Sequence, residues 1–177
     1  MNSMKTLVIH PLDSSTNFLS EIYKDKPWTV ISTNVPKKIL KEQIKNHDRI
    51  VMLGHGTELG LIGFGRYLIS SSLVYLLREK LCVCIWCYAN LFVNKYKIAG
   101  FNTGMIISEH EEAEMYNIRP PYCLGASNLS FAKAIEESID AENMLESVKG
   151  LYVGNSPIIE FNRNNLYFSQ HENNEKN

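Results

Sequence analysis

Short runs of consecutive apolar residues recur along this chain and alternate with segments of helical pattern. Because these runs lack the polar alternation of a half-exposed strand, they predict strands that are covered on both faces. Strands that alternate with helices in this way are typical of a mostly parallel sheet between helices. The predicted strands are 5–9, 28–32, 49–53 and 81–86, with a further strand around 105–108.

Helix signals fill the segments between the predicted strands. Residues 13–16 offer N-cap side chains ahead of a short apolar helical face, and a proline opens a second helix over 36–46. Three serines cap a third helix over 70–80. The Gly-rich segment 57–69 between the second and third helices predicts a hairpin excursion from the main sheet.

The C-terminal part of the chain has a weaker pattern. Residues 126–148 predict one or two helices broken at Asp140, and Gly150 suits the position just after a helix end. The apolar runs within 151–161 predict a last strand and its continuation. The segment 170–177 is polar, and we expect it to be disordered.

Length and composition restrict the class of protein. The 177 residues fit a single domain, which we predict to be a three-layer α/β/α unit with a mostly parallel sheet over 1–169. Lys plus Arg number 18 and Asp plus Glu 19, which gives a formal net charge of −1. The chain therefore lacks the positive charge that is typical of nucleic-acid-binding proteins. No apolar stretch is long enough to span a membrane, no signal peptide is recognisable, and the cysteines do not form a disulfide framework. We therefore expect a cytoplasmic protein; the sequence does not indicate its oligomeric state.

Two chemically capable residues follow the ends of predicted strands. His55 and Gly56 follow the strand 49–53 after one intervening glycine, and Cys87 comes directly after 81–86. Neighbouring parallel strands lie about 4.8 Å apart, so these side chains can approach each other at the carboxyl edge of the sheet. An imidazole beside a thiol can take its proton and leave a nucleophilic thiolate. The backbone N–H groups of Gly56 and Cys87 could then bind an oxyanion.

The order of strand, His-Gly, Gly-rich excursion, helix and strand ending in Cys resembles the caspase-like cysteine peptidases. Caspases, legumain, gingipains and clostripain share this fold, and the resemblance runs from about residue 5 to residue 108. Residues 53–63, Leu-Gly-His-Gly-Thr-Glu-Leu-Gly-Leu-Ile-Gly, are similar to the caspase segment around the catalytic histidine. The resemblance implies that Cys87 attacks a peptide carbonyl to give a thioester, that His55 is the general acid/base, and that Gly56 is an oxyanion donor.

The residues around Cys87 depart from the family pattern. Family members usually have a small or amide residue before the nucleophile and a glycine soon after it, whereas this chain has Trp86 before Cys87 and Tyr-Ala-Asn over 88–90. A divergent or non-peptidase bacterial member would fit these differences. The alternative hypothesis is therefore a catalytically inactive caspase-like module that binds a small ligand or a protein partner in the same pocket. Cysteine-dependent chemistry on a small molecule is a third hypothesis.

Three further residues are candidate substrate contacts: Asp13, His10 and Glu109. The resemblance implies that the loop after the first strand helps to form the specificity pocket, where Asp13 would select a Lys or Arg side chain; the plainer interpretation is a turn or cap residue. His10 ends the first strand. The acidic run 109–114, which begins at Glu109, follows the strand predicted at 105–108 and could rim the site; the plainer interpretation is a solvated first turn of a helix, with its acids near the positive end of the helix dipole.

The sequence gives no sign of a metal or nucleotide site. Cys82 and Cys84 alternate onto one face of their strand, which predicts small buried side chains, and the alternation points Cys87 to the opposite face. The cysteines have no second pair at zinc-finger spacing, and no glycine-rich phosphate-binding fingerprint is present. We therefore expect no cofactor, and a peptide, a protein or a small ligand as the partner.

Overall fold

The main sheet has six strands, five of which run parallel. The structure, a computed structural model, describes residues 4–170. The strands in chain order are β1 (Thr6–Ile9), β2 (Thr29–Ile31), β3 (Arg49–Leu53), β4 (His55–Thr57), β5 (Gly60–Gly63), β6 (Arg66–Ile69), β7 (Leu81–Ile85), β8 (Gly100–Thr103) and β9 (Leu166–Ser169). The sheet order is β2-β1-β3-β7-β8-β9, with β9 antiparallel to β8, and β4-β5-β6 form a separate antiparallel sheet. The prediction of an α/β fold with a mostly parallel sheet is confirmed.

Helices pack on both faces of the six-stranded sheet. They are α1 (Lys37–Lys45), α2 (Val74–Leu77), α3 (Ala89–Tyr96), α4 (His110–Met115), α5 (Leu124–Ser138), α6 (Met144–Leu151) and α7 (Pro157–Asn164), with 3₁₀ helices at Asn17–Ile22 and Ser71–Leu73. Alternate residues of the central strands face opposite ways, as the period of two requires. Ile50 and Cys82 pack with α1, α2 and α3, whereas Val51 and Val83 pack with α5 and α6. Among the described residues, no helix has the length and apolar character needed to cross a membrane.

The strand predicted at 105–108 is wrong, because the chain forms β8 earlier, at Gly100–Thr103. Gly100 has a φ of +126°, and a Cβ there would lie 1.8 Å from the carbonyl oxygen of Cys82, so only glycine permits this pairing with β7. The apolar run that follows is buried without a strand partner. The Asn162 side chain accepts a hydrogen bond from the backbone N–H of Ile107 at 2.7 Å and donates to its carbonyl at 3.0 Å.

The predicted strand within 151–161 is also wrong, and so is the proposed helix end at Gly150. Gly150 lies inside α6, and residues from Pro157 onward form α7. The sequence carried the signal for α7: Ser156 accepts a hydrogen bond from the N–H of Ile158 at 3.3 Å, and the proline occupies the first helical turn. The last strand is instead β9, and residues 171–177 of the predicted tail lie outside the described residues.

The topology brings three loops to one edge of the sheet. The chain passes from β1 outward to β2 and then returns to form β3 on the other side of β1, so the strand order reverses between β1 and β3. Binding sites of open α/β sheets form beyond the carboxyl ends of strands at such a reversal. β7 pairs directly with β3, and the N–H of Gly54 donates to the carbonyl of Ile85 at 3.0 Å. The segments after β1, β3 and β7 therefore meet.

Candidate functional site

His55 and Cys87 line the same cavity at this edge, as the strand pattern predicted. The cavity has a volume of about 30 Å³. The 3₁₀ helix at Asn17–Ile22 forms one wall, and α5 and the segment after β8 form the others. The lining residues combine apolar and polar groups. The apolar ones are Phe18, Leu19, Gly54, Ile85, Trp86, Ile106 and Phe131, and the others are Thr16, His55, Cys87, Ser108 and Glu112.

The Cys87 thiol is protonated in this arrangement. Burial raises its pKa to about 11, and its Sγ donates a weak hydrogen bond to the carbonyl of Ile106 at 3.9 Å. Cys82 and Cys84 are buried in the core facing α1, α2 and α3, whereas Cys87 lines a cavity walled by Phe131 on the other side of the sheet. The predicted separation of Cys87 from the other two thiols is therefore confirmed.

A tight turn follows Cys87 and leads straight into α3. Tyr88 has a φ of +65°, a backbone angle that residues other than glycine seldom adopt. Its N–H donates to the carbonyl of Gly104 at 3.2 Å. Thr103 donates its hydroxyl to the carbonyl of Trp86 at 2.9 Å. In the described part of the chain, the backbone N–H of Cys87 has no hydrogen-bond partner. It is therefore available to an oxyanion.

The His55 imidazole is held by two residues of the loop after β1. Its Nε2 lies 2.7 Å from Ser15 Oγ and 3.4 Å from Asp13 Oδ1. Ser15 donates both its hydroxyl, at 2.6 Å, and its backbone N–H, at 2.9 Å, to the same carboxylate oxygen. Because Ser15 donates its hydroxyl proton to Asp13, we assign the donor role in the Ser15–His55 contact to Nε2, and the neutral tautomer with Nε2–H carries its lone pair on Nδ1. Residues 4–170 contain no hydrogen bond between His55 and Cys87.

Asp13 does not line the cavity, and its carboxylate is already engaged. Hydrogen bonds from Ser15, with a further contribution from His55, lower the pKa of Asp13 and keep it ionised. Its side chain is exposed at the mouth of the site, where it fixes the loop that holds His55. The Asp-Ser-Ser sequence predicts a turn in which the Asp13 carboxylate accepts a hydrogen bond from the backbone N–H of Ser15. The contact of Ser15 with His55 could not be inferred from the sequence.

Trp86, which precedes Cys87, packs against Gly56, which follows His55. The Trp86 indole is buried, and its Nε1 donates to the carbonyl of Thr57 at 3.0 Å. A Cβ on Gly56 would lie 2.1 Å from Trp86 Cδ1, so glycine is needed for the ring to pack there. The tryptophan that departs from the caspase pattern therefore has a structural role in this chain.

His10 lies beneath the site rather than in it. It is fully buried, with Nδ1 2.9 Å from the hydroxyl of Tyr23 and Nε2 3.3 Å from the hydroxyl of Thr16. Desolvation lowers its pKa from 6.5 to about 4, which keeps the ring neutral. Its connection with the cavity is indirect, because Thr16 lines the cavity and His10 supports Thr16.

We expect His10 to make the protein less stable in acid. A folded-state pKa below the unfolded value means that the unfolded chain binds the proton more tightly, so this contribution is complete above pH 6.5 and lost as pH falls toward 4. The shift corresponds to about 3 kcal/mol of unfolding free energy. Urea denaturation between pH 7.5 and 4 should show this loss, and His10→Gln should remove that part of the pH dependence. Parallel pH profiles for the two proteins would contradict the assignment.

Glu109 caps α4, and Glu112, which belongs to the acidic run that begins at Glu109, lines the cavity. The two residues form a capping box at the start of the helix. The Glu112 carboxylate accepts hydrogen bonds from the N–H of Ser108 at 2.7 Å, from its hydroxyl at 3.2 Å and from the N–H of Glu109 at 3.0 Å. Glu109 therefore stabilises the start of α4 beside the cavity, and Glu112 holds Ser108 in its place in the cavity wall.

The described residues contain no group of three or more His, Cys, Asp or Glu side chains that could hold a metal ion. The groups present at the site include a thiol, an imidazole and, within the described residues, a backbone N–H of Cys87 without a protein acceptor. Neither a scan of protein-family models nor a search of curated proteins found a match to this chain.

Proposed function

We propose that this protein is a caspase-like cysteine hydrolase, with Cys87 as the nucleophile and His55 as the general acid/base. The observation that carries the proposal is the placement of both side chains on one cavity, at the carboxyl ends of adjacent parallel strands. The antiparallel excursion β4-β5-β6 directly after β3 supports a caspase-like arrangement, in three layers, as the finer description of the fold. A protonated Nε2 also supports it, because Nδ1 can then act as the base.

The reaction would begin with proton transfer from the Cys87 thiol to Nδ1 of His55. The resulting thiolate attacks the substrate carbonyl, and the oxyanion that forms is bound by the N–H of Cys87 and, in this proposal, by that of Gly56. The tetrahedral intermediate collapses to a thioester when His55 returns the proton to the leaving group. His55 then takes a proton from a water molecule, which hydrolyses the thioester and releases Cys87.

Two observations favour the alternative of a binding module. The thiol of Cys87 has a raised pKa of about 11, so it is not activated at rest, and the cavity is small. In the hydrolase, substrate binding would have to supply the activation by bringing Nδ1 and the thiol together. In a binding module, the same cavity would hold a ligand without any covalent step.

Trapping the thioester tests the proposal. The protein would be mixed with N-acetylated tripeptide aminomethylcoumarin amides, quenched in acid, and examined by mass spectrometry for an acyl adduct on Cys87. We expect the adduct, and we expect His55→Gln to slow its formation by about 10²- to 10⁴-fold. Cys123→Ala, which removes the exposed thiol, should leave it unchanged. Release of coumarin without an adduct on Cys87, or no release from any peptide, would contradict the proposal.

A further inference from the structure

We infer that the site accepts substrates in which the side chain next to the scissile carbonyl is small and uncharged. This inference rests on the proposed function and adds the substrate class. The cavity beside Cys87 measures about 30 Å³. That volume is small beside the roughly 150 Å³ of an apolar cavity that holds benzene, so it favours a short side chain. Glycine, alanine and serine meet this requirement.

The cavity walls are held in place by the core. Leu19, Ile106 and Phe131 are all buried, and Phe131 meets the ring of Tyr152 edge-on with the centroids 5.4 Å apart. Tyr152 is fixed in turn by hydrogen bonds of its hydroxyl to Ser127 at 2.7 Å and to Asn162 at 3.1 Å. Because packed interiors resist expansion, a larger side chain could enter only by displacing this wall.

The charges around the cavity argue against an ionic side chain. The Glu112 carboxylate that lines it is satisfied by three hydrogen-bond donors, and Asp13 is bound to Ser15 and His55 outside it. A Lys or Arg side chain, with five or seven non-hydrogen atoms, exceeds the space available. An acidic side chain would meet the carboxylate of Glu112 in a poorly solvated cavity. This replaces the expectation that Asp13 selects a basic residue.

A panel of tripeptide coumarin amides that differ only in the residue before the scissile bond tests the inference. We expect kcat/KM for Gly, Ala and Ser to exceed that for Leu, Phe, Asp, Lys and Arg by about 10- to 100-fold or more. Phe18→Ala enlarges the cavity and should raise the rate for Leu relative to Ala. The control Leu145→Ala truncates a partly buried side chain of the same core outside the cavity and should leave the ratio unchanged. Equal or better cleavage after Lys, Arg or Leu by the wild-type protein would overturn the inference.

A second measurement tests the size of the cavity by the rate of thiol labelling, which does not require turnover. Alkyl methanethiosulfonates react with the thiolate of Cys87 to form a mixed disulfide and release methanesulfinate. In a Cys123→Ala background, we expect the methyl reagent to label Cys87 at least 10-fold faster than the benzyl or aminoethyl reagent, each rate being normalised to that with free cysteine. Similar normalised rates would overturn the inference even if peptides are cleaved. Selective methyl labelling with no peptide cleaved would support the small cavity and overturn the hydrolase.

Discussion

Replacing Cys87 with Ala is expected to abolish turnover and to leave the fold intact. Loss of the nucleophile from a cysteine hydrolase removes the covalent route, and removal of a catalytic nucleophile costs about 10⁴-fold or more in kcat. The substitution deletes one half-buried sulfur atom whose only hydrogen bond in the described structure is a weak one to Ile106. The unfolding free energy should therefore fall by about 1 kcal/mol or less. Steady-state kinetics and urea denaturation measure the two effects separately.

Cys84→Ala is the matched control, because it makes the same change three residues earlier, inside β7. Cys84 is buried in the core on the opposite face, so its loss should lower stability more than the loss of Cys87 while sparing catalysis. Activities must be compared at equal folded fraction, since loss of stability would otherwise be mistaken for loss of function. Full turnover by a folded Cys87→Ala protein would refute Cys87 as the nucleophile, whereas no turnover by the folded wild-type protein would favour the binding module.

The location of His55 and Cys87 on one cavity could be predicted because it depends on strands alone. All-apolar runs fixed the positions of β3 and β7, and a residue just past the end of each must lie at the carboxyl edge of the sheet. The contacts that orient and surround the pair could not be predicted in the same way. Ser15 and Glu112 reach the site through loop and cap geometry, which hydrophobic periodicity does not encode.

The misplaced strand at 105–108 has two physical causes, a side chain that replaces the expected strand pairing and a glycine that the actual strand requires. The apolar segment around Ile107 is buried like a strand, but Asn162 satisfies its backbone from a helix that is distant in sequence. β8 has a weak strand composition because close approach to Cys82 demands Gly100. In both places a tertiary contact overrode local propensity.

Gly56→Ala is expected to have the second large effect, on stability and on turnover together. The new methyl group would lie 2.1 Å from Trp86 Cδ1 and 2.5 Å from the carbonyl oxygen of Gly60. Neither neighbour can move freely, because Trp86 is buried and bonded to Thr57, and Gly60 pairs with Thr57 in the β4–β5 ladder. We expect a loss of about 3 kcal/mol in unfolding free energy. Displacement of the adjoining His55 should lower kcat/KM by about 10²-fold in the molecules that remain folded.

Gly150→Ala provides the matched control for this substitution. Gly150 lies within α6, where an added Cβ meets no atom within 4 Å, so alanine should stabilise the helix by about 0.5–1 kcal/mol. Urea denaturation of the two variants should therefore give shifts of opposite sign. Trp86→Phe separates the causes, because it keeps a ring against Gly56 but removes the hydrogen bond to Thr57, at an expected cost of about 1 kcal/mol. An unchanged urea midpoint for Gly56→Ala would show that Trp86 does not pack against Gly56. The claim that this packing positions His55 relative to Cys87 would then be wrong.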